Sequence, residues 1–256
     1  MYQVICTDAI TLLNSVDYVR MIFADPPDNI GLRYRKYKDK RDDYLEWLAD
    51  VIELSIAKCD VFWLSYNAKW TFDVGAIIST LVQKYDGLHA KPCVQIYTFG
   101  QHNQNDLGNN HRPLIRITQE NVELYPDAIR VPSWRQENGD PRADPRGKIP
   151  SDVFDVPRVT GNSKQRRKWH PTQLNELLVE RCIKLCCKEY DTVIDPFAGT
   201  GTTLRVCKKL NVACTTSDID LEYCQKIAEE NNLQAAITKH WKNRWYGGKG
   251  TGLAHA

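Results

Sequence analysis

Two loops carry residue types able to do chemistry. Asp25-Pro26-Pro27-Asp28 follows the apolar run 21–24, so a carboxylate stands at the end of a buried strand and two prolines stiffen the turn that presents it. Asp195-Pro196-Phe197-Ala198-Gly199-Thr200-Gly201 follows the apolar run 192–194 and leads into a segment of helical spacing. A glycine turn between strand and helix lets the main chain approach a ligand closely and aims helix N–H groups at it. Asp218 ends the next predicted strand, about 20 residues past the glycines, where carboxylates of such folds hydrogen-bond ribose hydroxyls. Leu204 occupies the third-glycine position of a GxGxxG pattern, and no GxxxxGK[ST] run occurs. A nucleoside without a pyrophosphate therefore fits this loop better than NAD or ATP.

The elements that must hold these loops are legible as alternating strands and helices. Strands are predicted at 4–6, 21–24, 61–66, 94–98, 192–194 and 212–216, and helices at 43–57 behind an Asp43 cap, 72–84, 175–186, 201–209 and 220–230. This alternation predicts an α/β fold, a doubly wound, mostly parallel sheet. From 100 to 169 the periodic signal fades apart from a strand at 114–118. That stretch reads as an insert over the sheet. The chain divides accordingly into a half that carries the Asp-Pro-Pro loop (1–99), an insert (100–169), a half that carries the glycine loop (170–238) and a basic, Gly-containing tail (239–256) that reads as flexible.

Composition narrows the class further. The 256 residues, 42% of them hydrophobic, suffice for one large core with a small lobe. No apolar run approaches the roughly 20 residues of a membrane span, and no signal pattern precedes the first strand, which predicts a cytoplasmic protein. Nine cysteines are scattered without a CxxC pair, so they read as buried thiols and no metal site is expected. The formal charge of +2 excludes little by itself.

The two loops resemble motifs of a known family. Asp25-Pro-Pro-Asp28 resembles the DPPY catalytic motif of S-adenosylmethionine-dependent amino methyltransferases, and 195–201 resembles their FxGxG cofactor motif. Trp169-His-Pro-Thr-Gln173 is similar to the His-Pro-Thr segment that precedes the cofactor loop in the β class of DNA members. The order also matches that class: catalytic loop, variable insert, His-Pro-Thr, cofactor loop. The resemblance implies a Rossmann-like methyltransferase fold with S-adenosylmethionine as cofactor. It places Phe197, Gly199 and Gly201 against the cofactor, with Asp195 at the head of the loop, Asp218 on the ribose and Thr172 by the methionine end. Asp8 is similar to the early Asp near the cofactor adenine, and equally reads as a helix cap. In two places the sequence departs from the family. Asp28 replaces the aromatic that stacks on the extruded base, leaving Tyr34 or Tyr37 to stack, and Leu174-Asn175 replaces the usual Lys-Pro.

The chemistry of the first loop agrees with that resemblance. An exocyclic base amine is a poor nucleophile because its lone pair is delocalised into the ring. An enzyme must accept its N–H hydrogens so that the nitrogen can pyramidalise. A fixed carboxylate and a main-chain carbonyl, Asp25 and Pro26 here, supply such acceptors. No nucleophilic cysteine is needed for this reaction, which separates it from C5-cytosine methylation. By the resemblance, the leading Asp, where N4-cytosine members more often have Ser, implies N6 of adenine, with N4 of cytosine as the alternative, beside a catalytically weak DNA-binding homologue and an RNA or small-molecule enzyme.

Basic residues between 135 and 168 outnumber acidic ones, and Arg142, Arg146, Lys164, Arg166, Arg167 and Lys168 are the candidates for contacts to double-stranded DNA. Trp134, Trp169 and His111 could stack or pack. The resemblance makes 1–99 the catalytic half, 100–169 the inserted target-recognition region and 170–238 the cofactor-binding half; it also implies a restriction-modification setting in a prokaryote or phage, and leaves a homodimer open.

Overall fold

The computed structural model describes residues 1–36, 38–97 and 103–237. Tyr37, the end of the strand predicted at 94–98 and the tail at 239–256 lie outside them. In chain order the elements are β1 (Tyr2–Cys6), α1 (Ala9–Ser15), β2 (Val19–Ala24), α2 (Tyr44–Ile56), β3 (Cys59–Ser65), α3 (Thr71–Lys84), β4 (His89–Ile96) and β5 (His111–Thr118). There follow α4 (Trp134–Glu137), β6 (Val153–Asp155), α5 (Glu176–Cys186), β7 (Thr192–Asp195), α6 (Thr202–Lys209), β8 (Ala213–Asp218), α7 (Leu221–Glu230) and β9 (Ala235–Ile237).

Among the described residues the strands form one sheet in the order β6-β4-β5-β3-β2-β7-β8-β1-β9. β5 runs antiparallel to both its neighbours, and every other pairing is parallel. Strand alternation sorts the core into two layers. Met21, Phe23, Val61 and Trp63 pack with α5, α6 and α7 on one face. Ile22, Ala24, Phe62 and Leu64 pack with α1, α2 and α3 on the other. Each large side chain so buried contributes about 1.5–3 kcal/mol, and this two-sided burial is why the parallel strands read as continuous apolar runs.

Helix starts follow from side-chain caps. Asn175 accepts from Leu177 N at 2.9 Å and Asp220 from Glu222 N at 2.9 Å. Asp43, predicted as a cap, makes no such bond; its carboxylate is taken by Arg41 at 2.9 and 2.7 Å. The stretch predicted to lie over the sheet contributes two of its strands instead. β5 pairs with β3 and β4, and β6 extends β4. Residues 119–152 leave from the end of β5 and re-enter at the start of β6. They stay tied to the amino-end edge of the parallel strands, where Gln119 N donates to Asp60 O at 3.0 Å and Tyr125 N to Leu185 O at 2.8 Å.

The chain runs from β2 to β3 in one direction across the sheet and from β7 to β8 in the other. The carboxyl ends of β2 and β7 therefore flank a topological switch point, where open α/β sheets bind ligands.

Candidate active site

Asp25 leaves the end of β2 on one side of this switch point and Asp195 ends β7 on the other. Two clefts meet there. The first, about 810 Å³ with its open mouth, is lined by Asp8, Trp47, Thr172, Phe197, Gly199 and Asp218 among others. The second, about 1040 Å³, is lined by Pro26, Asp28, Tyr97, Arg112, Arg158 and Arg166 among others. Asp25, Tyr34, Thr172, Gln173 and Leu174 border both.

The first cleft suits a nucleoside ligand. Asp218 ends β8 and Asp8 follows β1 on the neighbouring strand, with Cys6 and Asp218 in register. Asp218 accepts from Gly199 N at 3.2 Å and Asp220 N at 2.8 Å, so the carboxylate shapes the glycine loop while its edge faces the cleft. Asp8 fills both readings given to it. It caps α1, accepting from Thr11 N at 2.9 Å and Thr11 Oγ1 at 2.6 Å, and it lines the cleft. Phe197 meets Trp47 edge to face with ring centres 5.7 Å apart, a pair of apolar rings for a flat base. Asp195 lies beneath the loop, buried, and accepts from Phe197 N at 2.9 Å.

The glycines have different jobs. Gly199 has φ +52° and lines the cleft, with the His170 ring beside it. Gly201, predicted to face the cofactor, instead turns its α-carbon to α7: φ is +74°, and a Cβ there would stand 2.7 Å from Ile227 Cγ2. Gly201→Ala should lower stability by roughly 2–4 kcal/mol, the sum of left-handed strain and overpacking. A fall in the denaturant midpoint checks this, with partial recovery when Ile227→Ala is added.

His170 is buried behind the loop, its Nδ1 2.6 Å from Thr172 O, which fixes the Nδ1–H tautomer. Burial lowers its pKa to about 4 against the Thr172 carbonyl, so it is neutral at pH 7. Asp195 and Asp218 move the other way, each raised to about 7 by burial against the N–H and hydroxyl donors around them. A raised carboxylate contributes stability that is full below its unfolded pKa and lost as pH rises through about 7. The His170 contribution is full above its unfolded value and lost as pH falls through about 4. The melting temperature of the unliganded protein should therefore fall as pH is raised from about 6 to about 8, and Asp195→Asn should flatten that slope. Asp195 carries more of it than Asp218, whose side chain is partly open to water.

The loop at 25–28 is held by residues that sequence reasoning missed. Tyr44 OH donates to Pro27 O at 2.8 Å and Trp70 Nε1 to Asp28 O at 2.8 Å, which leaves Pro26 O as the acceptor candidate. Arg112, on β5, donates to Asp25 Oδ1 at 2.7 Å and to Asp28 Oδ2 at 3.3 Å, and its Nε donates to Ser65 Oγ at 2.7 Å. Desolvation raises the Asp25 pKa, Arg112 opposes it, and Asp28 adds to it. The loop beyond is strapped onto α7 by Arg35, which pairs with Asp220 at 2.8 Å. This places Tyr34 between the clefts, its ring edge-on to His170 at 5.4 Å and its hydroxyl on the Thr172 side chain. Tyr34 is thus a buried wall rather than a free ring face. Tyr97, at the end of β4, lines the second cleft beneath the Arg158 guanidinium, 5.3 Å from its ring centre.

The basic candidates separate. Arg166 lines the second cleft and Lys164 and Lys168 are exposed on the same segment. Arg167 turns to Glu230 on α7 at 2.7 Å. Arg142 and Arg146 are not brought to the clefts: they lie in 119–152, at the opposite end of the sheet, paired with Asp140 at 2.8 Å and Asp144 at 3.1 Å. Trp134 is exposed on that same far lobe. Trp169 packs on Tyr223 at 5.6 Å, and His111 is exposed at the start of β5. Among the described residues no cluster of three or more His, Cys, Asp or Glu is arranged to hold a metal, and no helix is long and apolar enough to cross a membrane.

A carboxylate between two clefts, one shaped for a nucleoside and one rimmed by arginines, accompanies a family match over residues 19–230 to the DNA methylase model for N6 and N4 enzymes. The chain belongs to the DNA methylase family. The Type II methyltransferase M.HpaI of Haemophilus parainfluenzae is 30% identical over 246 residues, 89% of this DNA methylase and 73% of that protein. Among solved structures, the PvuII DNA methyltransferase (cytosine-N4-specific) shares the fold with a TM-score of 0.69 at 13% identity, covering 92% of this chain and 96% of that one. The M1.HpyAVI-SAM complex does so at 0.62 and 19%, covering 91% and 100%. The methylase fold expected from the sequence is the one found.

Proposed function

We propose that this DNA methylase transfers a methyl group from S-adenosylmethionine to an exocyclic amine of a base extruded from double-stranded DNA, N6 of adenine, with N4 of cytosine as the alternative. One observation carries the reading: Asp25 stands on the wall shared by the two clefts, where a methyl donor in one can meet an amine in the other. The donor set fits the cofactor. Asp218 offers a carboxylate to ribose hydroxyls, Trp47 and Phe197 offer rings to adenine, and Thr172 borders both clefts where the methionine end would pass. When bound, the cofactor supplies an electrophilic methyl on a sulfonium.

The remaining chemistry belongs to the chain. Asp25 and Pro26 O accept the two amine hydrogens, which localises the nitrogen lone pair along the line of attack, and Asp25 is placed to take the proton that methylation releases. Tyr97, half-buried in the second cleft, offers the base a ring face that Asp28 lacks. Arg158 and Arg166 border that cleft, Lys164 and Lys168 are exposed on the segment that carries Arg166, and the four suit phosphate contacts. Adenine is favoured because the loop opens with Asp, where N4-cytosine relatives more often have Ser. The relation to M.HpaI supports a restriction-modification setting. Sequencing of modified bases in DNA from cells expressing the chain tests all of this at once. A single modified adenine in a short recurring sequence is the expected result, and absence of any modification together with no cofactor binding would overturn the reading.

A further inference from the structure

The structure assigns Arg112 as the residue that positions the catalytic carboxylate, and Asp28 as the counter-charge that anchors Arg112. The inference rests on the proposed role of Asp25. All three guanidinium nitrogens are committed: Nε to Ser65 Oγ at 2.7 Å, Nη1 to Asp28 Oδ2 at 3.3 Å, and Nη2 to Asp25 Oδ1 at 2.7 Å. Nη2 also lies 3.0 Å from Asp28 Oδ1, close enough for charge attraction but outside hydrogen-bond geometry. Ser65 closes the ring by donating to the Asp25 carboxylate. Asp28 is fixed in turn by Asn67 Nδ2 at 3.3 Å. The side chains of Arg112, Asp25 and Asp28 are only 17%, 24% and 16% exposed, so solvent screens this triad weakly.

Position 28 thus does different work here than an aromatic would. An aromatic there offers a ring to the base but no charge to the arginine. In this chain the second carboxylate locks the guanidinium in a planar fork, and the fork presents Asp25 in one orientation. Burial opposes the Arg112 charge, and the two carboxylates more than offset it. The same arginine opposes protonation of Asp25: without it, two carboxylates would face each other in a desolvated cleft, and one would take up a proton more readily. A protonated Asp25 loses acceptor capacity for the amine. Among the described residues, the other charged or titratable groups facing this point are Asp195 at the end of β7, the buried Asp39 beside Asp28, Tyr34 and Tyr44 around the loop, and Tyr97, Arg158 and Arg166 in the second cleft.

The test uses the full chain with Arg112→Met, Arg112→Lys and Asp28→Asn. Arg112→Met is expected to move the acid limb of the pH-rate profile upward by about 1–3 pH units, while affinity for S-adenosylmethionine measured by calorimetry stays within a few fold. Arg112→Lys should recover part of the shift, because it restores charge without the fork. Asp28→Asn should move the limb downward, since it removes the repelling charge. Titration of the 13C-labelled Asp25 carboxyl group in the unliganded protein, assigned with Asp25→Asn, reads the same displacement without turnover. Absence of methyl transfer by the unaltered protein would therefore count against the proposed function and not against Arg112. An Asp25 titration unmoved by Arg112→Met, or moved in the same direction by Asp28→Asn, would overturn the assignment.

Discussion

Asp25→Ala should reduce methyl transfer to DNA by roughly 10³-fold, the scale of removing a preorganised group aimed at developing charge in a water-poor site. The amine nitrogen becomes nucleophilic only as its hydrogens are drawn off the ring plane, and among the described residues Asp25 is the carboxylate on the wall between the clefts. Loss of activity here would not be loss of fold. Asp25 sits under a desolvation penalty and beside Asp28, so its removal relieves repulsion as it frees Arg112. The melting temperature should hold or rise, and calorimetric affinity for S-adenosylmethionine should change little, because the ligand-shaping bonds of the first cleft run through Asp218 and not Asp25. Asp25→Asn separates charge from shape: the amide keeps the volume and one acceptor oxygen, so it should retain more activity than alanine while remaining at least about 10²-fold impaired. Single-turnover transfer of a labelled methyl group measures both. Activity of Asp25→Ala within tenfold of the unaltered protein would remove the carboxylate from the mechanism.

What the sequence revealed and what it concealed divide along a physical line. Residues whose role is local were legible. The apolar run 21–24 ending in Asp-Pro-Pro, the strand-glycine-helix passage at 192–209, and the helix starts at 175 and 220 each declare themselves within a few positions, because pleat, turn and helical spacing are short-range constraints. Contacts made across the sheet were not. Arg112 lies 87 residues from Asp25 and looks in sequence like any polar residue near a strand start, yet β5 runs antiparallel beside β3 and delivers it to the catalytic loop. Tyr44 and Trp47 sit within the apolar spacing of the helix predicted at 43–57, and Trp70 falls between predicted elements. They are also the groups that line the cofactor cleft or pin the loop carbonyls. The insert misled for the same reason. β6 is three residues long and gives no clean alternation, and of β5 only the part at 114–118 declares itself, short of His111 and Arg112 at its start. Charge counting between 135 and 168 joined arginines that the fold sends to opposite ends of the sheet, since composition is blind to where a segment leaves and re-enters.

The second large effect falls on the cofactor loop. Asp218→Ala should weaken S-adenosylmethionine binding by about 10²- to 10³-fold, for two reasons that add. The carboxylate is the group available to the ribose hydroxyls, and charge-assisted bonds of that kind contribute about 1.5–3 kcal/mol each. It also accepts from Gly199 N and Asp220 N, so without it the left-handed turn at Gly199 loses its anchor and must be ordered by the ligand. Asp218→Asn distinguishes the two contributions, because the amide oxygen can keep one main-chain bond while the charge is gone. It should fall between alanine and the unaltered protein. Acidity supplies an independent check. With its pKa raised to about 7, Asp218 is partly protonated at neutral pH in the unliganded protein. A ligand that prefers the carboxylate must displace that proton, so affinity should rise with pH through about 7 and proton release should accompany binding. Calorimetry in buffers of different ionisation enthalpy reads the proton directly. In Asp218→Asn most of that pH dependence should vanish, and an unchanged slope in the variant would shift the coupling to Asp195, the other carboxylate that burial raises beneath the same loop.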